Sequence, residues 1–316
     1  MMIKRVAIQM DTIDSIDLEF DTSFLLGKEA QNRGYDLFYY NPVDLEYENG
    51  SVFASGYFIE LYETQNTHYK FLTENKEKIN LNNFDVVLIR QDPPFNMHYI
   101  TSTYLLDQIS STTVVLNDPT SIRNSSEKIY PFEFKKYIAP TIITQKTETL
   151  KKFLNFHKDI ITKPLYGNGG EGIFRIKIDD TKLHGIDQSK KILDDPIMAQ
   201  KYIPEITEGD RRIILIDGEY VGSVARIPQD NNIKANFHAG GIAKKSELIY
   251  RDKEICDTLK KDLKERNLFL VGIDVIGNYL TEINVTSPTG IKQVNKLNKT
   301  CLEKIYWDKL EGKFFS

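Results

Sequence analysis

The sequence predicts an α/β protein in which an N-terminal parallel sheet is followed by two smaller regions that mix helices with hairpins. Three observations support this prediction. The first third of the chain alternates apolar, strand-like runs with helical stretches, an order typical of parallel sheets with crossover connections. The middle third contains a glycine-rich segment, residues 167–172. The last third contains two dipeptides suited to hairpin turns, Asp217-Gly218 and Gly277-Asn278.

Composition argues against several classes of protein. A formal net charge of −4 and a pI near 5.8 argue against a nucleic-acid binder that works by neutralising phosphates. Cys256 and Cys301 match no metal or redox spacing and are expected to be ordinary reduced thiols. The apolar stretch after the basic start is too short for a signal peptide, and no run is long enough to cross a membrane. We therefore expect a soluble, cytoplasmic protein.

The length of 316 residues suggests about two domains of ~150 residues each. The pattern of elements divides the chain further, into residues 1–120, 121–200 and 201–316. The first region is predicted to contain, in order, a strand at 6–10, a helix from Asp21 to Gly34, a strand at 35–40, a hairpin at 44–59, a strand at 84–89, a helix at 97–110 and a strand at 114–116.

The carboxyl ends of these parallel strands form a candidate substrate cleft. Ligands of such sheets bind beyond the strand ends, which is where Asp11, Arg90 and Asp92 occur. A structural alternative is that Arg90 and Asp92 form an ion pair that fixes the proline-rich loop. No glycine-rich turn follows the first strand, so a Rossmann nucleotide site is not expected here.

The glycine-rich segment of the middle region is a candidate phosphate-binding loop. It follows a strand that ends at Lys163, and Gly167, Gly169 and Gly170 allow backbone N–H groups to approach an anion closely. The order of lysine and glycines is not that of a Walker A loop. A purely structural hairpin is the alternative. If the loop binds phosphate, we expect it to close over the nucleotide.

A second nucleotide-binding stretch follows at residues 198–204, where a strand runs into a proline. Its backbone groups can pair with an adenine edge, with Tyr202 and Ile203 as apolar walls. The residues assigned to this stretch are Gln200, Lys201, Tyr202 and Ile203.

The last region contributes an arginine and a long polar loop. Strand alternation puts Arg212 on the same face as Ile214, so that it can lie over the cleft. Loops as long as residues 229–245 are usually functional or disordered. The loop contains Asn236, His238, Gly240 and Gly241. His238 is a candidate general base, although a lone histidine in a loop is more often a solvated side chain. A helix at 251–266 and the aromatic residues Trp307, Phe314 and Phe315 are predicted to pack against the core.

A metal site is predicted at the second hairpin, residues 272–288. Asp274 precedes the turn, and Glu282 and Asn284 share one face of the returning strand. Two carboxylates and an amide oxygen are ligands that Mg²⁺ accepts when phosphates complete its shell. Ser287 and Pro288 are expected to begin a helix whose N-terminal amides face this site. The alternative is a pair of edge strands whose polar residues face water.

Together these residues resemble the prokaryotic glutathione synthetases of the ATP-grasp superfamily, and the resemblance covers essentially the whole chain. The run from Thr281 to Thr289 is highly specific to that family, whereas the glycine loop is general to ATP-grasp ligases. Further matching motifs are Asp92-Pro93-Pro94-Phe95, Lys163-Pro164-Leu165, Arg226-Ile227-Pro228-Gln229 and Ala239-Gly240-Gly241. The resemblance implies an ATP-grasp fold with an N-terminal pre-ATP-grasp domain (1–120), a central lid domain (121–200) and a C-terminal domain with the metal site (201–316).

The resemblance also implies roles for individual residues. Lys128 and Lys163 would hold the ATP phosphates, and residues 200–203 with Asp210 would hold adenine and ribose. Two Mg²⁺ ions, replaceable by Mn²⁺, would bind Asp274, Glu282 and Asn284. The dipeptide and its reacting carboxylate would contact Arg212, Arg226, Asn284 and Ser287, with Asp11, Arg90, Asn236, Gly240 and Gly241 nearby. Arg212 or Arg226 would stabilise the oxyanion when the amine attacks.

The implied reaction joins γ-glutamylcysteine to glycine through an acyl phosphate, in a protein that is typically a tetramer. One departure concerns Ile242, which stands where the family usually has an arginine, so we expect Lys234, Lys244 or Lys245 to supply the missing charge, with weaker closure of the loop as the alternative. Gly290 stands where some members of the family have a larger residue, and this difference is expected to be neutral. Two alternatives remain open: another ATP-grasp carboxylate–amine ligase with a different γ-glutamyl acceptor or amine, and a non-catalytic nucleotide-binding module.

Overall fold

The structure, a computed structural model, describes residues 4–63, 67–167, 172–179, 195–229, 235–237 and 240–315. Within these ranges the strands form three sheets, which follow one another along the chain. No helix in the described ranges is both long and apolar enough to span a membrane.

The first sheet is built around a parallel core. Its strands are β1 (Arg5–Gln9), β2 (Asp36–Tyr40), β3 (Leu45–Glu48), β4 (Ser51–Leu61), β5 (Tyr69–Phe71), β6 (Glu77–Asn80), β7 (Val86–Ile89) and β8 (Val114–Leu116). The strand order is β3-β4-β2-β1-β7-β8, and β5 and β6 pair with β4. The pairs β1–β2, β1–β7 and β7–β8 are parallel, as the order of strands and helices predicted.

Helices cover both faces of this sheet, which explains why its central strands are apolar almost without interruption. The helices of this part are α1 (Thr22–Asn32), α2 (Met97–Asp107) and α3 (Pro119–Asn124). Val6 and Ile8 belong to the same buried cluster as Leu26 of α1, while Ala7 packs with Leu106 of α2 on the other face. Asp21 caps α1 by accepting a hydrogen bond from the Phe24 backbone N–H, as predicted.

The second sheet is antiparallel and has the order β11-β10-β12-β9. Its strands are β9 (Thr141–Thr144), β10 (Asp159–Pro164), β11 (Phe174–Lys177) and β12 (Ile197–Lys201). Helix α4 (Thr147–His157) packs on it through Leu150 and Leu154. Two candidate site residues lie near the carboxyl ends of strands in this sheet. They are Lys163 in β10 and Gln200 in β12.

The third sheet is also antiparallel and has the order β15-β14-β13-β16-β17. Its strands are β13 (Asp210–Ile216), β14 (Glu219–Ile227), β15 (Ile242–Lys245), β16 (Leu270–Ile276) and β17 (Tyr279–Asn284). Ile213 and Leu215 pack against α5 (Tyr250–Glu265), whereas Ile214 and Ile216 face the opposite side. Both predicted hairpin turns are present, with Gly218 and Gly277 at positive φ.

The two last helices join the third sheet to the first. They are α6 (Ile291–Asn298) and α7 (Leu302–Phe314). Trp307 of α7 is fully buried and donates its Nε1–H to the carbonyl of Leu26 in α1, at 2.8 Å. Arg33, which follows α1, donates to the carboxylates of Asp308 and Glu311 in α7. The prediction that Trp307 packs against the core is therefore confirmed.

Two predicted boundaries are wrong. Ser287 and Pro288 do not begin a helix, because α6 starts at Ile291 after Gly290, which has a φ of +113°. Ser287 Oγ instead donates to the carbonyl of Arg90. The loop predicted at 229–245 ends earlier, since residues 242–245 form β15 on the open edge of β14, where the long strand leaves backbone groups to be paired.

Candidate active site

A cleft of about 440 Å³ lies between the second and third sheets. Residues of β10 and β12 form one wall, and residues of β13, β14, β16 and β17 form the other. The predicted site residues that line it are Lys128, Lys163, Gly167, Gln200, Lys201, Tyr202, Ile203, Asp210, Arg212, Arg226, Asn236, Asp274, Glu282, Asn284 and Ser287. Asp11, Arg90, Gly240 and Gly241 lie outside this lining. Gly169, Gly170 and His238 fall outside the described residues.

The register of the third sheet brings the charged side chains together. Asp274 of β16 lies opposite Arg212 of β13 on one side and opposite Glu282 of β17 on the other. Asp210 lies opposite Arg226 in the next pair of strands. Residues directly opposite each other in an antiparallel pair share a face of the sheet. The prediction that the metal candidates share one face of the hairpin is confirmed.

Two buried lysines flank Glu282. Lys163 Nζ lies 3.6 Å and Lys128 Nζ 4.0 Å from Glu282 Oε1. Lys128 also contacts the Glu127 carboxylate and donates to the carbonyl of Gly167 at 2.7 Å. Burial lowers the pKa of Lys163, although Glu282 opposes the shift. Burial also acts to lower the pKa of Lys128, but Glu282 and Glu127 outweigh it, and that pKa is raised. Two ammonium groups at the cleft wall suit an anionic ligand such as phosphate.

The two arginines of the site are held by two carboxylates. Arg212 donates Nε to Asp274 Oδ1 at 2.6 Å, and its Nη1 reaches the carbonyl of Thr289 at 3.0 Å. Arg226 forms a two-point ion pair with Asp210, and its Nη2 lies 2.9 Å from Asp274 Oδ2. Burial alone would raise the pKa of Asp274, but the two facing guanidinium groups hold it well below its usual range. The guanidinium planes are therefore fixed before any ligand binds.

The nucleotide candidates lie at the end of the cleft where β12 leaves the second sheet. Tyr202 packs with Ile206 and Ala235 in a small apolar cluster, which Ile161 and Ile276 border. The side-chain amide of Gln200, in contrast, is bonded to Thr141 Oγ1 at 2.9 Å. The apolar cluster suits the faces of a purine ring.

The dipeptide candidates Asp11 and Arg90, which follow strands of the first sheet, do not line the cleft. Arg90 donates Nε to Ser23 Oγ and Nη2 to the carbonyl of Pro288. Asp11 Oδ2 accepts the backbone N–H of Asp92 at 2.7 Å. The two side chains thus hydrogen-bond to segments that do line the cleft, residues 92–93 and 286–289.

The loop that precedes β15 is described only in part. Asn236 lines the cleft, and its carbonyl accepts the Gly241 N–H at 3.0 Å. Ile242 is half exposed and pairs with Ile227, while Ala243 lies opposite Arg226. Ile242 and Lys244 therefore share the sheet face that Arg226 does not occupy, whereas Lys245 lies on the Arg226 face, opposite Val224. Lys234 lies outside the described residues, so charge compensation for Ile242 stays a prediction.

The hairpin β16–β17 fits the donor set expected for Mg²⁺. Asp274, Glu282 and Asn284 offer oxygen ligands on one face, and Mg²⁺ in nucleotide sites needs only one or two carboxylates in addition to phosphates. Among the described residues, no group of three or more His, Cys, Asp and Glu side chains is placed so that it could hold a metal ion. The Glu282 side chain is 23% exposed, whereas that of Asp274 is 5% exposed and paired with both arginines. Glu282 is accordingly the more open ligand.

Glu127 is a charged residue of the site for which the sequence predicts no role. Glu127 lines the cleft, and burial together with the nearby Glu282 raises the pKa of its carboxyl. Its carbonyl accepts the Ile283 N–H at 2.9 Å, which ties this segment to β17. It comes from an irregular segment, where no periodic pattern marks it. Its signals in the sequence are its position immediately before Lys128 and the match of Glu127-Lys128 to the family.

Comparison with known proteins yields two family models that together span most of the chain. Residues 4–123 match the model for the N-terminal domain of prokaryotic glutathione synthetase, and residues 127–299 match that for its ATP-grasp domain. A glutathione synthetase of Agrobacterium fabrum is 44% identical over 312 residues, covering 98% of this chain and 97% of its own. That of Brucella melitensis is 44% identical over 313 residues, with 99% and 100% covered.

Solved structures with low sequence identity share the fold. A D-cycloserine synthetase superposes with a TM-score of 0.68 at 12% identity and covers 98% of this chain and 99% of its own. D-alanyl-alanine synthetase A of Vibrio cholerae gives 0.61 at 12% identity over 100% of both chains. An ATP-grasp ligase complexed with a minimal precursor, Mg and ADP gives 0.60 at 13% identity over 97% and 98%. The predicted ATP-grasp fold is confirmed.

Proposed function

The chain belongs to the prokaryotic glutathione synthetase family, and from this membership we propose how its cleft performs the family's reaction. The protein is an ATP-dependent ligase that joins γ-glutamylcysteine to glycine and yields glutathione, ADP and phosphate. The 44% identity to glutathione synthetases over 98% of the chain is the observation that carries this function.

The chemistry requires that a carboxylate be activated before an amine attacks it. The carboxylate of the dipeptide takes the γ-phosphoryl group of ATP, which gives an acyl phosphate and ADP. The amine of glycine then attacks the carbonyl carbon, phosphate leaves, and the amine loses a proton. Most of the catalysis in such a sequence comes from alignment of the reactants and from neutralisation of charge.

Lys128 and Lys163 are the proposed phosphate ligands. Both ammonium groups are buried at the cleft wall and lie within 4.0 Å of Glu282, which gives the site two fixed cationic donors. The lysine Nζ is a point charge with three donors, so Lys128 can keep its bond to the Gly167 carbonyl while it binds a phosphate oxygen. Gly167, Gly169 and Gly170 are assigned to the same phosphates.

Arg212 and Arg226 are the proposed catalytic residues. Their guanidinium groups are held in place by Asp274 and Asp210, so no reorganisation is needed when negative charge develops on the reacting carboxylate. Donors fixed in this way stabilise the oxyanion of the tetrahedral intermediate.

The metal ligands are proposed to be Asp274, Glu282 and Asn284, which would hold two Mg²⁺ ions, for which Mn²⁺ can substitute. Bound Mg²⁺ supplies positive charge next to the phosphates. The chain's own contribution is to hold the ligands on one face of a hairpin and to place Lys128 and Lys163 beside them.

The remaining assignments concern the nucleotide and the other substrates. Gln200, Lys201, Tyr202, Ile203 and Asp210 are proposed to hold adenine and ribose. The dipeptide and glycine are proposed to bind at Asp11, Arg90, Asn236, Gly240, Gly241, Asn284 and Ser287, of which Asn236, Asn284 and Ser287 line the cleft.

Three further proposals concern the whole chain. Residues 1–120, 121–200 and 201–316 are proposed as substrate-binding, lid and metal-carrying domains. We also propose a homo-oligomer, a tetramer as the family suggests, and a cytoplasmic location, in line with the unpaired Cys256 and Cys301.

Phosphate release tests the function directly. The enzyme is supplied with ATP, Mg²⁺ and γ-glutamylcysteine, with and without glycine, and glutathione is measured by mass spectrometry. We expect one phosphate per glutathione and little phosphate release without glycine.

A second candidate function is that of a ligase with another amine or γ-glutamyl acceptor, because Ile242 stands where the family usually has an arginine. Product formation only with such a substrate would favour this second function. A chain that binds ATP but turns over none of these substrates would be a non-catalytic module.

A further inference from the structure

A stacked arginine lies next to the nucleotide end of the cleft, on the strand that follows the glycine-rich segment. Arg175 of β11 places its guanidinium carbon 3.4 Å from the centre of the Tyr202 ring. At this distance the guanidinium lies against one face of the ring, where the ring's negative potential attracts it. Tyr202 itself is 8% exposed and lines the cleft.

The guanidinium is fixed by a carboxylate from the neighbouring strand. Arg175 donates Nε to Asp159 Oδ1 at 3.0 Å and Nη2 to Asp159 Oδ2 at 2.7 Å. Two parallel hydrogen bonds to one carboxylate define the plane of the guanidinium as well as its position. Arg175 therefore cannot turn away from the Tyr202 ring without breaking this pair.

Asp159 holds Tyr202 through its backbone as well. Its carbonyl accepts the Tyr202 N–H at 3.1 Å, so one residue fixes the tyrosine backbone and, through Arg175, the tyrosine ring. The cross-strand partner of Arg175 is Ile161, which lines the cleft and borders the Tyr202 cluster. The arrangement thus connects β10 and β11 to Tyr202, which directly follows β12 and lines the cleft.

We propose that Arg175 is a positioning residue for the nucleotide: paired with Asp159, it holds the Tyr202 ring in the orientation in which this ring forms a wall of the adenine site. Arg175 acts through Tyr202 and is not itself assigned a contact with ATP. The proposal rests on the proposed location of adenine at residues 200–203. It predicts that loss of Arg175 weakens nucleotide binding more than it slows the chemical steps.

A similar arrangement occurs outside the cleft lining and provides a control. Arg266, after the end of α5, lies 4.9 Å from the centre of the Tyr130 ring and donates Nε to Asp262 at 3.1 Å. Neither Arg266 nor Tyr130 lines the cleft. Arg266→Ala removes an arginine from an aromatic face and from a carboxylate, and it alters no residue of the cleft lining.

The experiment measures KM for ATP, kcat and KM for γ-glutamylcysteine, together with the affinity for ADP by calorimetry. For Arg175→Ala we expect KM for ATP and the Kd of ADP to rise about tenfold, because a partly buried cation–aromatic contact contributes about 1 to 2 kcal/mol, and about 1.4 kcal/mol is tenfold in affinity. We expect kcat to change by less than about twofold and KM for the dipeptide to stay constant. Arg175→Lys should recover part of the loss, because an ammonium can lie over the ring but cannot pair with Asp159 at two points.

The Arg266→Ala control separates positioning from general stability. Arg266→Ala should lower the melting temperature without raising KM for ATP. Unchanged ADP affinity in Arg175→Ala, or an equal loss in Arg266→Ala, would overturn the proposal. If Arg175→Ala does not fold, the affinity of Arg175→Lys for ADP is the deciding measurement. A wild-type affinity for ADP in Arg175→Lys would then overturn the proposal. If the wild-type protein binds ADP but makes no glutathione, the proposed function is refuted. The comparison of ADP affinities between the wild type and the Arg175 and Arg266 variants would still test the positioning role of Arg175.

Discussion

At the scale of single residues, Glu282 places one carboxylate between two buried ammonium groups. Glu282→Gln keeps the size of the side chain and removes its charge. An amide is a poorer ligand for Mg²⁺ than a carboxylate, so the phosphates and both lysines lose the group that organises them. We expect turnover to fall by about 10²- to 10³-fold while the fold is retained.

Steady-state turnover at saturating Mg²⁺ and thermal unfolding of both proteins check this prediction. Glu265→Gln is the control, because Glu265 ends α5 with 64% of its side chain exposed. Turnover of Glu282→Gln close to that of the control would mean that Glu282 is not a metal ligand.

The faces of the site were predictable from the sequence, whereas its contacts were not. A strand has a period of two residues, so Glu282 and Asn284 had to share a face once the turn at Gly277 was placed. That Asp274 accepts hydrogen bonds from Arg212 depends on which strand pairs with β16, and no local pattern encodes that choice.

At the scale of elements, Gly272 of β16 allows Arg212 to reach its carboxylate. A Cβ at this position would lie 3.2 Å from Arg212 Cδ and 3.2 Å from Pro288 Cβ. A glycine inside a strand often marks such a close approach. The absence of a side chain lets Arg212 lie across β16 to Asp274.

Gly272→Val should therefore displace Arg212 without removing it. Valine favours strands, so β16 should persist, but a misplaced catalytic group can cost about 10²-fold in rate. Turnover is compared with that of Gly312→Ala in α7, where an added Cβ would meet nothing within 4 Å. Equal turnover in the two variants would show that the position of Arg212 is not critical.

The ends of elements were the least predictable part of the fold. Ser287 and Pro288 have the composition of a helix start, but Arg90 binds the carbonyl of Pro288, and the chain turns only at Gly290. Residues 242–245 carry no strand pattern, yet they pair with β14. In both places a tertiary contact overrides the local preference.

At the scale of the whole molecule, Arg33 connects the two ends of the chain. It donates to Glu29 in its own helix and to Glu311 and Asp308 in α7, and its side chain is 18% exposed. Arg33→Ala removes this partner from the carboxylates of Glu29 and Glu311, which are 9% and 31% exposed, so we expect it to lower the free energy of unfolding by about 2 kcal/mol.

Urea unfolding measures this loss against Arg5→Ala. The Arg5–Asp36 pair is 3.8 Å apart, and its side chains are 49% and 46% exposed, so its removal should cost less than about 1 kcal/mol. Equal losses for the two variants would show that α7 is not held by Arg33.

Elements with a repeating pattern or a turn signal were predictable. They include the parallel strands, the helices and the hairpins that turn at Asn49-Gly50 and Asp217-Gly218. The packing of these elements against one another was less predictable. Nothing in residues 302–314 indicates that this helix packs on α1, because an apolar face does not specify which surface covers it.

The contact between α1 and α7 has a consequence for how the protein is made. Arg33 and Glu311 are 278 residues apart in the chain. A ribosome releases α1 and the strands around it long before α7 is translated, so the surface that Trp307 covers stays open to solvent throughout most of synthesis. The nascent N-terminal sheet depends on the last helix to complete its core. A premature stop codon or a frameshift upstream of α7 therefore damages the first part of the protein as well as the last.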